Sequence, residues 1–494
     1  MTLALGIDVG TTNTKAALVA VDGAGVEELA VTARPTPDDA PGLLATVDSV
    51  AGEVLRATDD PPQVVGVASM AETGVALDAA DRPVTELLRW DAHRATEQAR
   101  RLADRVGADR LFAGTGVRPS GKAPLATWAW LRDRDVAFRR WAGAADLVVL
   151  ALTGRLVTDH TLAGRTMAYR TDGPPSASFD GALLDIVGLR PAQLPAVAPP
   201  EGVAGHASTH AARRSGLDGL AARLPDGTPV VVAGHDHSVG SWAAGARGTG
   251  ARACSVGTAE AAFTILSAAP DTGPVAAAGM SRVRTADGRH HALLAGSPSA
   301  GSMLGWLEEH IDGPVEDALA AAAQELRAHP GPPAAVVLPY RAGRQAPRPD
   351  PAATVRVLRH GAAAAEARDL DAAALARAVL DGLALQARWM LTEQARLGDT
   401  EPGALTLLGS VLDLPGVIES RRLALTGPLR HITAREPVAT GAGLLAAARA
   451  GLLGPPQDAL RDAPRLPATD LPARPDRYGD ALEAFVRAAT EGAR

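Results

Sequence analysis

The chain has 494 residues, a formal net charge of -7, 21% charged residues and one cysteine, Cys254. That length exceeds a single compact core and predicts two large domains, while the acidic balance excludes a global pull toward nucleic acid or anionic membrane and leaves room for a local anion site. A lone cysteine excludes an internal disulfide and a cysteine-built zinc site, and Cys254, inside an apolar run, reads as a small core residue rather than a nucleophile.

Residues 1–6 lead straight into a strand pattern without the basic head and cleavage region of a secretory signal, and no apolar run reaches membrane-helix length, so a cytoplasmic protein is expected. Aromatic residues are only 3%, which predicts an aliphatic core. Runs such as the alanines at 362–365 reflect compositional bias.

In chain order, residues 3–7 read as a strand, followed by DVGTTNTK at 8–15, an apolar run over 16–21 and an Asp22-Gly23 turn. Strand, loop, strand is the local reading. A further strand over 64–68 precedes the polar cluster 69–73, with an apolar continuation at 74–77. Helical spacing covers 93–106 and 125–142; Trp128, Trp130, Leu131, Phe138 and Trp141 in the latter read as a core face. Loop formers dominate 171–229. The run 230–233 then predicts a strand whose carboxyl end carries Gly234, His235, Asp236 and His237, a favoured place for chemistry in α/β folds.

Residues 253–256 enter Gly257-Thr258-Ala259-Glu260 and a second apolar run at 261–266. This repeats the opening order, with DVGTTNTKAAL answered by SVGTAEAAFTI, and predicts a duplicated architecture whose second half begins near residue 245. Helical periodicity returns over 372–397 and 441–450, and a strand at 405–408 ends on Gly409-Ser410. A tail at 455–477 rich in proline, arginine and aspartate precedes the apolar stripe Tyr478, Leu482 and Phe485, which should dock on something. The expected division is 1–244, carrying substrate-binding insertions and the catalytic base; 245–455, carrying nucleotide-binding elements; and 456–494, an extension docked on the core.

Consecutive backbone N–H groups in a glycine-threonine turn suit phosphate oxygens. Gly10 lends the first turn latitude, Thr11, Thr12 and Thr14 add hydroxyls, and Asp8 at the strand end is placed to hold Mg²⁺ directly or through water. No GxxxxGK[ST] pattern occurs, so this is not the common strand-loop-helix phosphate site. Lys15 has two readings, a phosphate contact or a solvated strand face. Gly257 and Thr258 supply a second turn of the same kind. Asp236 suits a different task, accepting a proton from a hydroxyl whose oxygen attacks phosphorus. Zinc held by His235 and His237 lacks the further close ligands that a cage needs.

On these residues the chain resembles the FGGY carbohydrate kinases, and the resemblance covers nearly its full length. GIDVGTTNTKAAL is similar to the family's first phosphate motif, which implies that Asp8 organises Mg²⁺. GHDHSVG resembles the segment of the catalytic base, implying Asp236, and SVGTAEA resembles the second phosphate loop, implying Gly257 and Thr258. VASMAETGVALD and LLRWDAHRA resemble substrate blocks and imply contacts from Glu72, Trp90 and Asp91, with His235, Asp236 and His237 beside them; Ala71 stands where the glycerol-kinase version has arginine. LTGRLVTDHTLAGRTMAY implies pocket-wall roles for Asp159 and Thr161. LPYRAGRQAPRPDP and ARAVLDGLAL match structural blocks. Late in the chain, Gly409-Ser410 represents the family's nucleotide-side glycine segment, and EPVATGAGLLAAARAG resumes the resemblance.

What the resemblance implies is an α/β, two-lobed, duplicated ribonuclease H-like ATPase fold of the actin, hexokinase and sugar-kinase type with an interlobe cleft, using ATP and Mg²⁺. The expected reaction transfers the γ-phosphoryl group to a hydroxyl of a small-molecule sugar or polyol. A pentulose such as xylulose is the narrower expectation, with a polyol or a sugar acid as the alternative, the latter neutralised by Lys122 or Arg94. A non-catalytic sugar sensor and a chaperone-type ATPase are the other classes the duplicated core could serve. A homodimer is compatible with the apolar helix faces, which equally serve internal packing.

Overall fold

The computed structural model describes residues 1–23, 25–359 and 366–491; the alanine run at 362–365 lies outside them. The described residues form two compact units, one lying within 1–247, 282–292 and 434–467, the other within 248–281, 293–433 and 468–494. Among them no helix is long and apolar enough to cross a membrane.

The first unit is built on a sheet in the strand order Gly25–Pro35, Asn13–Asp22, Thr2–Val9, Val64–Ser69, Pro229–His235 and Gly205–His206. The first three strands form an antiparallel meander, Val64–Ser69 and Pro229–His235 run parallel to Thr2–Val9, and the short edge strand is antiparallel. Both parallel strands are wholly buried but for Pro229, as continuous aliphatic runs covered on two faces require.

The second unit repeats this plan. The hairpin of Arg252–Val256 and Glu260–Ile265 is antiparallel; Leu405–Leu408 and Leu429–Ile432 follow in parallel, and Ala468–Leu471 closes the edge antiparallel. The echo between the two sequence motifs is therefore an echo of topology, with Gly10 and Gly257 each at the tip of its unit's leading hairpin.

Segment 434–467 joins the first unit although it lies between strands of the second unit in sequence, and the reason is steric. Gly6 and Gly66 are register partners on neighbouring strands, and the helix Pro437–Arg449 lies directly on them. A Cβ at Gly6 would stand 1.8 Å from the Ala439 carbonyl oxygen, and one at Gly66 2.0 Å from that of Ala442. Alanine and glycine fill the helix, so helix and sheet approach closer than larger side chains permit. Glu28 caps it, accepting from the N–H groups of Arg435 and Glu436 and from the Thr440 hydroxyl.

Most expected elements are present, with one clear departure. The helical spacing over 125–142 is broken: the helix spans Pro124–Arg132 and Arg140–Gly143 is a strand paired with Gly74–Leu77. Asp135 takes a left-handed φ of 54° in the connection, which no helix accommodates. Trp128 and Trp141 nevertheless meet edge to face at 5.9 Å in the core, with Trp130 and Phe138 only partly buried against it. In the second unit the tail forms the helix Gly479–Thr490, with Phe485 fully buried and the Tyr478 hydroxyl donating to Asp381 at 3.2 Å.

The close helix-on-glycine seat makes a direct prediction. Gly66→Ala should destabilise the protein by about 1–3 kcal/mol or more through overpacking, read as a lower urea midpoint. Gly52→Ala, inside the helix Ala40–Val54 with nothing within 4 Å of the added Cβ, should instead be neutral or stabilise by up to about 1 kcal/mol.

Candidate active site

The strand Pro229–His235 ends on a bulge between Val232 and Gly234. Gly234 has a φ of 128°, and a Cβ there would meet the Thr161 hydroxyl at 2.5 Å and Asp159 Oδ1 at 2.7 Å; glycine alone fits. Thr161 in return accepts from the His235 N–H at 2.8 Å. The chain then turns into the helix Asp236–Ala243, placing Asp236 at its first position.

Asp159 is the anchor beneath. Its carboxylate is 1% exposed and lies 3.1 Å from Arg449 and 3.2 Å from His160. Burial by itself would raise its pKa, yet His160, Arg449 and the Thr161 hydrogen bonds hold it well below the usual carboxylate range. Arg449, at the end of the helix Pro437–Arg449, also donates to the carbonyl oxygens of Val232 and Ala286, each at 2.8 Å. One buried ion pair thus ties a helix, the Asp236-bearing strand and the Asp159-Thr161 turn together.

Asp236 Oδ1 accepts from the His237 N–H at 2.6 Å and lies 3.1 Å from His235 Nε2 and 3.8 Å from His237 Nδ1. His235 is buried, and burial together with the charges of His237, Arg165 and Lys122 pushes its pKa well down. The ligand atoms of His235, Asp236 and His237 all lie within 4.8 Å of one another.

Asp8 lies near enough for Asp236 to act on it. Its pKa is pushed up to about 8, first by burial and then by the Asp236 charge, with partial relief from Lys15. Lys15 is the cross-strand partner of Asp8 and pairs with Glu436 at 2.6 Å, so it is neither on a solvated face nor unpaired. Asp8 Oδ1 is buried with no hydrogen-bond partner. An orphaned carboxylate oxygen with a strong appetite for a proton fits a hard divalent cation such as Mg²⁺.

The turn after Asp8 is closed by Gly10 N–H donating to Asn13 O at 3.1 Å. Thr12 is exposed and Thr11 half-buried, whereas Thr14 is fully buried with its hydroxyl 3.0 Å from that of Thr36, which donates to Gly10 O. Thr14 therefore braces the turn from inside. Thr11 accepts from Trp90 Nε1 at 2.9 Å, linking the turn to the segment of Trp90 and Asp91. Asp91 is 42% exposed and pairs with Arg89, which also donates to Thr11 O at 3.0 Å.

Glu72 takes a left-handed φ of 66° and is 6% exposed, with Arg165 at 2.7 Å and Lys122 at 3.5 Å from its carboxylate oxygens. Burial opposes ionisation, but Lys122 and Arg165 hold its pKa down. Lys122 also stands 5.5 Å from the Trp90 ring centroid. Arg94 lies over Trp130 at 5.8 Å instead. Arg165 and Arg449 were not singled out in the sequence; the available signal was an arginine inside an otherwise small and apolar segment.

In the second unit, Gly257 N–H donates to Ala259 O, Gly257 O accepts from Gly301 N–H, both at 2.9 Å, and Thr258 O accepts from Ser302 N–H at 3.1 Å. Gly409, with a φ of 116°, precedes the turn Ser410–Asp413. Behind this hairpin, Glu260 forms a bidentate buried pair with Arg421 at 2.7 and 2.9 Å and accepts from Cys254 Sγ at 2.9 Å. Cys254 is fully buried, and burial with the Glu260 charge pushes its pKa well up, as an inert core thiol requires.

A repeated sheet with a glycine-threonine turn in each copy and carboxylates gathered at the strand ends of the first copy has the layout of a phosphoryl-transfer enzyme. Family models match along the chain: the N-terminal domain of the FGGY family of carbohydrate kinases at residues 3–242 and its C-terminal domain at 252–450. The chain belongs to the FGGY family of carbohydrate kinases, and it is an ATP-dependent carbohydrate kinase. It is 24% identical over 368 residues to a gluconokinase of Bacillus subtilis, covering 69% of this chain and 68% of that one. With a xylulose kinase of Streptomyces coelicolor it shares 29% identity over 56% of this chain and 57% of the relative. The crystal structure of ligand-bound xylulose kinase from Lactobacillus acidophilus matches 100% of this chain and 99% of its own with a TM-score of 0.81 at 22% identity.

The Asp159 clasp predicts a specific stability pattern. Arg449→Met strands a buried carboxylate and should cost about 3–5 kcal/mol, while the double variant D159N/R449M should recover part of that loss in urea denaturation. Because folding depresses the Asp159 pKa, its contribution is complete above about pH 4, the unfolded carboxylate range, and is lost as pH falls further. Below that pH the wild-type urea midpoint should therefore fall more steeply than that of D159N.

Proposed function

We propose that the protein transfers the γ-phosphoryl group of ATP to a hydroxyl of a small open-chain carbohydrate, with Asp236 as the base that accepts the hydroxyl proton. The observation that carries this reading is the pairing of two carboxylates in unlike settings: Asp8 buried with an orphaned oxygen, and Asp236 at 21% side-chain exposure at the start of a helix.

In this reading Asp8 would hold Mg²⁺, which when bound neutralises charge on the phosphate oxygens. Thr11 and Thr12 offer the phosphates backbone and hydroxyl donors, with Gly10 closing their turn through its N–H on Asn13 O and Thr14 bracing it through Thr36. Gly257 and Thr258, and Gly409 and Ser410, are the nucleotide-side positions of the second unit. The His237 N–H holds Oδ1 of Asp236 beside His235, leaving the carboxylate to orient the acceptor hydroxyl and take its proton as the oxygen attacks phosphorus. Trp90, tied to Thr11, and His237 line the acceptor side. Asp91 serves indirectly by holding Arg89 against the Thr11 carbonyl.

Relatives named for gluconate and for xylulose support an acceptor that is a sugar acid or a pentulose. A screen of the purified protein with ATP and Mg²⁺ against pentuloses, hexuloses, polyols and aldonates should give one class of phosphorylated product by mass spectrometry. With that acceptor, Asp236→Asn should lower kcat by about 10²–10⁴-fold and leave the KM for ATP within a few-fold. Turnover near the wild-type level would remove Asp236 from the base role.

A further inference from the structure

The charges around Glu72 do not balance. One buried carboxylate is shared by Arg165 and Lys122, and Arg165 uses only one nitrogen on it: its Nε and Nη1 are buried with no hydrogen-bond partner, although the side chain is 7% exposed. Lys122 stands 3.5 Å from Glu72, too far for a strong hydrogen bond, and its 18% exposure leaves the ammonium reachable. A third cation, Arg118, lies within the field of Arg165, whose charge adds to burial in lowering its pKa.

These groups come from separate parts of the first unit: Glu72 after the strand Val64–Ser69, Lys122 before the helix Pro124–Arg132, and Arg165 after the helix His160–Ala163. Neutralising Glu72 needs one cation. Burying a second costs desolvation and mutual repulsion that a neutral hydroxylated ligand does not offset. The surplus lies close to the reacting group: after His237, Arg165 and Lys122 are among the charges that lower the pKa of His235, whose Nε2 stands 3.1 Å from Asp236.

We infer that the acceptor carries a carboxylate bound by Arg165 and Lys122, which makes it a sugar acid of the aldonate type rather than a neutral ketose or polyol. The inference rests on the kinase reading above. One surplus positive charge at Glu72 matches a monoanion better than a phosphate dianion. In the reaction the carboxylate is unchanged: an acceptor hydroxyl oxygen forms the new bond to γ-phosphorus, the bond from γ-phosphorus to the β,γ-bridging oxygen breaks with its electron pair leaving on ADP, and the proton passes to Asp236.

The test compares matched acceptors with the full chain, ATP and Mg²⁺: five- and six-carbon aldonates such as D-xylonate and D-gluconate, their alditols, D-xylulose, and glucose 6-phosphate as the phosphate arm. Products are read by mass spectrometry, and acceptor binding without ATP by calorimetry. An aldonate should exceed its alditol in kcat/KM by about 10- to 100-fold, the range for losing a charge-assisted hydrogen bond. R165M should raise the KM for the aldonate by a similar factor while R165K recovers part of it, and K122M should act in the same direction if R165M does not fold. Equal or better turnover of alditol, ketose or glucose 6-phosphate, or an equal effect of R165M on charged and neutral acceptors, overturns the inference and leaves the kinase reading standing. If folded, ATP-binding protein phosphorylates nothing, the kinase reading fails, and calorimetry still decides: aldonate binding lost in R165M supports the carboxylate subsite, and no binding overturns it.

Discussion

The buried pair of Asp159 and Arg449 is the interaction on which the site depends. Both side chains are 1% exposed, so neither charge could persist without the other. Arg449 ends the helix Pro437–Arg449 and bonds the Val232 carbonyl, while Asp159 orders Thr161, which receives the His235 N–H. The position of Asp236 is therefore set by a clasp one residue layer behind it. A pocket-wall role for Asp159 and Thr161, the expectation from resemblance, understates this, because their polar atoms are spent on shaping the strand end.

The two carboxylates assigned to chemistry differ because their surroundings differ. Asp8 sits in the middle of a sheet with an unsatisfied oxygen and a pKa raised to about 8, a setting that favours a bound cation. Asp236 stands at a helix start between two imidazoles, where a carboxylate gains from the helix dipole and stays accessible to a hydroxyl. Two similar side chains near one another can hold distinct roles only when burial separates them in this way.

The repeated sheet explains why one motif occurs twice and why its copies are not identical. In each unit the leading hairpin ends on a glycine turn beside two parallel strands, so each offers backbone donors at a strand end. In the first unit the strand end also carries acids; in the second the acid of the hairpin, Glu260, is consumed by Arg421 within the core. In the function proposed above, the second turn serves phosphate binding without supplying a base.

Much of this was legible in the linear order of residues. The alternation of aliphatic runs with glycine-threonine turns determined the hairpins, their repetition determined the duplication, and the places of Asp8 and Asp236 at the carboxyl ends of buried strands followed, because strand ends are local features that a short window contains. The helix expected through residue 142 failed for a nonlocal reason: Arg140–Gly143 is a strand only because Gly74–Leu77 pairs with it. The same holds for Lys15 and Glu436, for Arg449 and Asp159, and for the cations around Glu72, whose partners lie tens to hundreds of residues away. Composition and local pattern determined which groups were present; tertiary structure alone decided which charges were paired and which were left over, because a charge's energy depends on burial and on neighbours in space rather than along the chain.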